Sequence, residues 1–203
     1  GADGKTASFA GHKVLLATGG FGAGHDLFKE TLGYPLFTWA WPSCTGSGAR
    51  IAMSAGAEML HTEYFIPRWA GVLTPESGAR VDRISDTTSR RPAWEIYVTS
   101  GGNRFVPEDV AEPLAREEAL LKVPDLTFWV VYDETIRQDA PAFFDEVAPE
   151  KAHAWMGKHP SFVTAETLED LAVAAGINTE RFLETVATYN AAVDSGKDPL
   201  GRT

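Results

Sequence analysis

The feature that most limits this chain is the run Lys13-Val14-Leu15-Leu16-Ala17-Thr18 followed by Gly19-Gly20-Phe21-Gly22-Ala23-Gly24. A short, unbroken apolar stretch stopped by glycine reads as a buried strand feeding a tight strand-to-helix turn. Such turns let backbone amides approach a pyrophosphate when glycines fall at the first, third and sixth positions. Here that register fails. Counting from Gly20, Gly22 is third but the sixth residue is His25; counting from Gly22, Gly24 is third but the sixth is Leu27. No acidic residue for a ribose stands some twenty positions on, around Ala40 and Trp41. The residues alone leave two readings open, a tight connection and a backbone surface against a cofactor.

Downstream, Thr45-Gly46-Ser47-Gly48 opens a small-residue helix over Ala49–Ala55 ended by Gly56, and 57–65 reads as extended. The stretch 67–91 is polar and broken by Gly and Pro, so it reads mainly as loop. Glu95–Thr99 is a strand by its β-branched and aromatic content, Ser100–Asn103 a hairpin turn, and Arg104-Phe105-Val106 the return. Glu112–Leu121 is a helix candidate and Thr127–Tyr132 an apolar strand. Near the end, Thr164 is positioned to cap a helix over Ala165–Ala175 that stops at Gly176. Asn178 is positioned to cap another through Ala192, with Phe182, Val186 and Tyr189 on one stripe.

Several function classes fall away. With 18 Lys+Arg against 28 Asp+Glu the net charge is -10, which lacks the basic footprint that phosphate backbones and anionic membranes require. No apolar run reaches the roughly 18 residues of a membrane helix. The single Cys44 excludes an internal disulfide framework and a multi-thiolate metal site, and fits a reducing, cytoplasmic setting. His61 and Glu63 form a pair with no third ligand at useful spacing, so no metal site is expected. His153 and His159 flank Trp155 in a helical region expected at the surface, and the six tryptophans read as core and interface residues. No nucleophile elbow or P-loop is present. Both ends have loop chemistry, and the expectation is a portion of a longer protein.

Five segments, in order, carry a family resemblance. Lys13–Gly22 resembles the "VLATGGFG" segment of the fumarate reductase/succinate dehydrogenase flavoprotein superfamily, which also contains the 3-ketosteroid dehydrogenases. Thr45–Ala52 with Ala55-Gly56-Ala57 resembles "TGDG…A…AGA", and Gly102–Asp109 resembles "GxRFVNED". Thr167–Ala172 and Thr185–Asn190 resemble "TLEELA" and "TVxxYN".

The resemblance implies a two-domain FAD enzyme and an α+β fold for this chain. Residues 1–60 would be a strand-helix remnant of the Rossmann-like FAD domain, and 61–203 an incomplete capping (substrate) domain. Ala17, Thr18, Gly19 and Gly20 match the segment against FAD, and Ser47 stands where the family usually has a cofactor-contacting Asp. Arg91 matches an arginine that serves substrate carboxylate and proton delivery; its alternative is a solvated basic loop with Arg83 and Arg90. The dicarboxylate-gripping histidine falls near Arg68, an always-charged fork able to clamp a carboxylate, and the acidic partner falls near Thr88. The proton-donating arginine, or ketosteroid tyrosine, falls at Glu112, an acid/base candidate whose alternative is a solvated acid at a helix start. These departures favour neither fumarate nor ketosteroid chemistry. The expectation is a fragment of an FAD-dependent oxidoreductase acting on a small molecule, with FAD lost and turnover absent in the isolated chain; the alternative is a catalytically silent α/β interaction module.

Overall fold

A computed structural model describes residues 4–33, 38, 40–62, 64, 71–76, 82–83, 93–140, 144 and 147–203. The chain forms two compact units, one of residues 1–36 and 40–63, the other of 37–39 and 64–203. Arg68, Arg91, Thr88, Glu63 and Arg90 lie outside the described residues.

The first unit contains α1 (His25–Leu32) and α2 (Ser47–Ser54). α1 follows the glycine turn as its sequence predicts, and Gly33 ends it in the left-handed conformation. Leu27 is its buried residue, and Phe28 lies 5.0 Å from Phe21, ring centre to ring centre. Val14–Ala17 differs from expectation: no ladder forms there among the described residues, and Val14 and Leu15 are 84% and 89% exposed. A strand needs a partner for its backbone groups, and no described segment provides one. Residues 57–62 and 64 likewise join no ladder.

In the second unit, β1 (Gly71–Val72) pairs antiparallel with β2 (Asp82–Arg83), and β3 (Ile96–Thr99) pairs antiparallel with β4 (Phe128–Val131). The latter register runs from Ile96 opposite Val131 to Thr99 opposite Phe128. The expected hairpin return at 104–106 shrinks to one bridge, Val98 to Arg104, on the edge of β3 away from β4; the Tyr97 amide donates to the Glu108 carboxylate instead of to a returning strand. Between them stands α3 (Pro113–Leu120), begun by proline at its first turn, where a missing N–H costs nothing.

Two short helices, α4 (Glu134–Asp139) and α5 (Pro149–Trp155), precede α6 (Leu168–Ala175) and α7 (Thr179–Ser195). α6 starts three residues later than the sequence suggests. Thr167, not Thr164, is the cap; its Oγ1 accepts from the Asp170 amide at 3.1 Å, directly ahead of Leu168 and Leu171. Asn178 caps α7 as expected, and the helix continues past Ala192 to a left-handed Gly196. The predicted stripe holds: Phe182, Val186 and Tyr189 face a core of Ile96, Val98, Ala172 and Ile177.

A second core joins Phe144, Ala152, Trp155 and Phe162. The region of His153 and His159, expected at the surface, contributes to this core through Trp155, which agrees with the reading of the tryptophans as core residues: it is 8% exposed, with its ring centre 5.3 Å from Phe162. Its polar neighbours in sequence occupy the other face of α5, and the indole turns inward. The tryptophans are divided, since Trp41 is 76% exposed. No described helix is long and apolar enough to cross a membrane.

Candidate functional site

In the first unit the residues matched to the cofactor surface gather around the start of α2. Ala17, Thr18, Gly19, Gly20 and Ser47 are all exposed, whereas Gly46 and Gly48 are buried. The Ala23 amide donates to the Cys44 carbonyl at 2.9 Å, which draws the glycine turn onto the segment leading into α2. Gly46, the N-cap, has φ +78°, and a β-carbon there would lie 2.6 Å from Leu27 Cδ2 and 2.8 Å from Phe21 Cβ. At Gly48 a β-carbon would lie 1.7 Å from Thr18 Oγ1. Only glycine permits this approach. The gain is a helix start set close against the Thr18 side chain.

The N-cap of α2 makes no side-chain hydrogen bond, and its first turn holds no acidic residue. Helix amides at such an end favour an anionic group. A β-carbon at Gly20 would meet nothing within 4 Å, so the backbone there is open to close approach. Ser47 would add a neutral hydroxyl. The donor set and the glycine cradle therefore suit an anionic group.

In the second unit Glu112 is exposed, and its Oε1 accepts from the Leu114 amide at 3.0 Å, capping α3. The sequence-based alternative of an acid at a helix start is thus the geometry observed, with one carboxylate oxygen so engaged. Among the described residues no group of three or more His, Cys, Asp or Glu side chains is gathered as for a metal.

Sequence reasoning missed a buried ionic cluster made of Arg104, Glu108, Asp198 and Arg202. Arg104 forks onto Glu108, with Nε donating to Oε1 at 2.7 Å and Nη2 to Oε2 at 2.5 Å, while its Nη1 pairs with Asp198. Glu108 is 0% exposed and also accepts from the Tyr97 amide at 3.1 Å. Arg202 Nη1 reaches Glu108 Oε2 at 3.2 Å. Both guanidinium groups lie over the ring of Tyr189, at 4.8 Å for Arg104 and 5.3 Å for Arg202. Burial opposes charge on Arg104, but Glu108 and Asp198 outweigh it and raise its pKa. Burial likewise pushes the Asp198 carboxyl up, and Arg104 together with the Arg202 amide more than offsets this, so it titrates below the ordinary range. The only sequence signal is the spacing: Arg104 and Glu108 stand four apart, as do Asp198 and Arg202.

Against known proteins, the sequence matches the FAD binding domain family over residues 2–199. The chain belongs to this family. It is 32% identical over 194 residues to NADH:acrylate oxidoreductase of Vibrio harveyi, which covers 93% of this chain and 18% of that protein. A probable fumarate reductase of Shewanella frigidimarina is 28% identical over 191 residues, covering 91% of this chain and 29% of that protein. A 4-oxocyclohexanecarboxylate 2-dehydrogenase of Sinomonas cyclohexanicum is 28% identical over 92% of this chain and 32% of its own length. The chain therefore spans less than a third of each of these FAD-family relatives.

Among solved structures, the open conformation of a flavocytochrome c3 fumarate reductase matches with TM-score 0.60 and 24% identity, over 91% of this chain and 30% of that one. A 3-ketosteroid Δ1-dehydrogenase from Sterolibacterium denitrificans, in complex with 1,4-androstadiene-3,17-dione, matches with TM-score 0.65 and 21% identity, over 90% and 33%. These likenesses show that the mixed helix and small-sheet fold is that of FAD-binding flavoproteins.

Proposed function

We propose that this chain is a segment of an FAD-dependent oxidoreductase that moves hydride between a carbon of a small carboxylic acid and the flavin. Residues 1–60 are read as the end of the first FAD-domain segment and 61–203 as the capping domain. The observation that supports the reading is the glycine cradle at the start of α2, where Gly46 and Gly48 admit no β-carbon and the Thr18 side chain, next to exposed Gly19 and Gly20, packs on a helix end without a side-chain cap. The named relatives act on acrylate, fumarate and a cyclohexanecarboxylate derivative, and this supports a carboxylate-bearing substrate.

Bound FAD supplies the two-electron acceptor or donor. The chain's own residues bind and move protons. Arg68 is the proposed carboxylate clamp, whose planar fork matches two oxygens at once. Arg91 is proposed to bind the substrate carboxylate and to pass the accompanying proton. Glu112 is proposed as a second acid/base, using the oxygen that does not hold the Leu114 amide. Ser47, neutral where an acid is usual in the family, would hydrogen-bond the cofactor without adding charge. The lone Cys44 favours a reducing, cytoplasmic setting.

The test has two parts. The 203-residue chain alone is expected neither to retain FAD nor to turn over substrate; a yellow preparation with stoichiometric flavin absorbance overturns that statement. The full-length flavoprotein, reduced anaerobically, is expected to be reoxidised by small unsaturated carboxylic acids. Absence of flavin from the full-length protein would favour a catalytically silent interaction module instead.

A further inference from the structure

Among the described residues of the first unit, those that are buried are Leu27, Gly46 and Gly48. The two glycines stand at the start of α2, so Leu27 supplies the buried side chain. Leu27, near the start of α1, is 1% exposed, and its Cδ2 lies 2.6 Å from where a β-carbon on Gly46 would stand. Phe21 closes the same space from the glycine turn, with its Cβ 2.8 Å from that position. This contact continues a series. The Ala23 amide donates to the Cys44 carbonyl at 2.9 Å, and a β-carbon on Gly24 would lie 2.5 Å from the Thr45 carbonyl oxygen. Residues 23, 24 and 27 thus bear on 44, 45 and 46 in turn, and α2 begins at the next residue, Ser47.

We propose that Leu27 is a positioning residue for the cofactor surface, fixing Ser47 relative to the glycine turn through its packing on Gly46; this role rests on the reading that Thr18, Gly19, Gly20 and Ser47 hold FAD. Those residues come from two separate segments, and one ligand can use both only if the segments are held in register. A binding group keeps its place when the side chains behind it are locked by packing. The N-cap of α2 makes no side-chain hydrogen bond that would do this. An ion pair does join the two helices, Arg50 Nη2 to Glu30 Oε1 at 3.0 Å, but both side chains are about half exposed, and such pairs contribute little. Leu27 is the buried residue of α1, and Gly46, at φ +78°, leaves the backbone bare for its approach. Apolar packing therefore outweighs the ion pair in setting where Ser47 stands.

The experiment uses the full-length flavoprotein, stripped of flavin and titrated with FAD. Melting temperature and hydrogen exchange at Gly46–Arg50 are measured on each apo form. The variants are Leu27→Ala, Leu27→Val, Leu27→Met, Gly20→Val and, as a control for general destabilisation, Val186→Ala in the core of the second unit. Leu27→Ala is expected to raise the Kd for FAD about tenfold and to speed exchange at Gly46–Arg50. Leu27→Val removes only one methylene but shortens the reach to Gly46, so it serves if Leu27→Ala does not fold; a rise in Kd of about threefold is expected. Leu27→Met keeps the reach and should bind FAD within about twofold of wild type. A wild-type Kd in Leu27→Val and in any folded Leu27→Ala overturns the proposal. So does a rise in the Leu27 variants no greater than in Val186→Ala at matched loss of melting temperature. Gly20→Val tests the surface itself, because its side chain would stand on the open backbone there. Weaker FAD binding in Gly20→Val but not in Leu27→Ala or Leu27→Val overturns the positioning role alone. An unchanged Kd in Gly20→Val overturns the reading of the surface beneath it.

Discussion

The Thr18 hydroxyl occupies the place where a side chain at residue 48 would begin: a β-carbon on Gly48 would stand 1.7 Å from Thr18 Oγ1 and 2.7 Å from its Cβ. Helix propensity and packing therefore pull in opposite directions at this position. Inside an exposed helix, Gly→Ala stabilises by roughly 1 kcal/mol. Here the added carbon overpacks against Thr18, at a typical cost of about 1–3 kcal/mol. Gly48→Ala is expected to lower stability in urea unfolding, and the double variant Thr18→Gly/Gly48→Ala to recover part of the loss. Additive effects of the two changes would rule out the contact.

Gly102 holds the turn after β3 against α7. Its φ is +85°, and a β-carbon would lie 2.8 Å from both the Asn178 carbonyl and the Phe182 amide. Backbone on both sides leaves nothing flexible to yield. The turn also receives Thr185, whose Oγ1 donates to the Gly102 carbonyl at 2.7 Å. Gly102→Ala is expected to cost about 3 kcal/mol from left-handed strain and collision together. Calorimetry should show a melting temperature lower by roughly 10 °C, and a shift under 2 °C would contradict the fit.

What could be read in the sequence was local. α7 announces itself through Asn178, Gly196 and a stripe of Phe182, Val186 and Tyr189, all signals within the helix and its caps. β3 and β4 are visible as apolar, β-branched runs, but their pairing is not, because Ser100–Val106 also offers a plausible hairpin partner. Val14–Ala17 shows the limit most clearly: its composition is that of a buried strand, and burial depends on partners that no described residue provides. For the candidate site, the motif resemblance points to Ser47 and the glycines, and the Gly48–Thr18 approach shows a steric reason for glycine at position 48. The Arg104–Glu108–Asp198–Arg202 cluster was not, since its halves lie 94 residues apart and each half alone is ordinary surface spacing.

Glu112 can be divided into two roles by substitution. Its carboxylate caps α3 through the Leu114 amide, and loss of such a cap costs roughly 1 kcal/mol. Glu112→Ala is expected to show that loss in urea unfolding, whereas Glu112→Asn supplies a good capping side chain and should retain stability near wild type. Asparagine cannot exchange a proton at neutral pH. In the full-length flavoprotein, Glu112→Asn is therefore expected to lower kcat at least tenfold if the residue serves as acid or base, with the pH–rate profile losing one limb. Wild-type turnover in the stable Asn variant assigns Glu112 to helix capping alone.

The ionic cluster predicts how the second unit responds to acid. Asp198 titrates below the ordinary aspartate value because burial, which opposes its charge, is outweighed by Arg104 and by the amides of Arg202 and Leu200. Asp109 is lowered in the same sense: burial is outweighed there by the Thr203 amide and hydroxyl. A depressed folded-state pKa means that the unfolded chain binds the proton more readily. The stabilisation is then fully present above the unfolded value of about 3.9 and is lost as pH falls through the folded one. Asp198→Asn keeps an acceptor for the Leu200 and Arg202 amides but removes the charge facing Arg104. It is expected to lower stability by about 2 kcal/mol at pH 7 and to flatten the decline as pH falls below the unfolded aspartate value of about 3.9. Denaturant unfolding at several pH values on both proteins measures the difference. Acid limbs that run parallel would remove Asp198 from the account and leave the loss at pH 7 to packing around Tyr189.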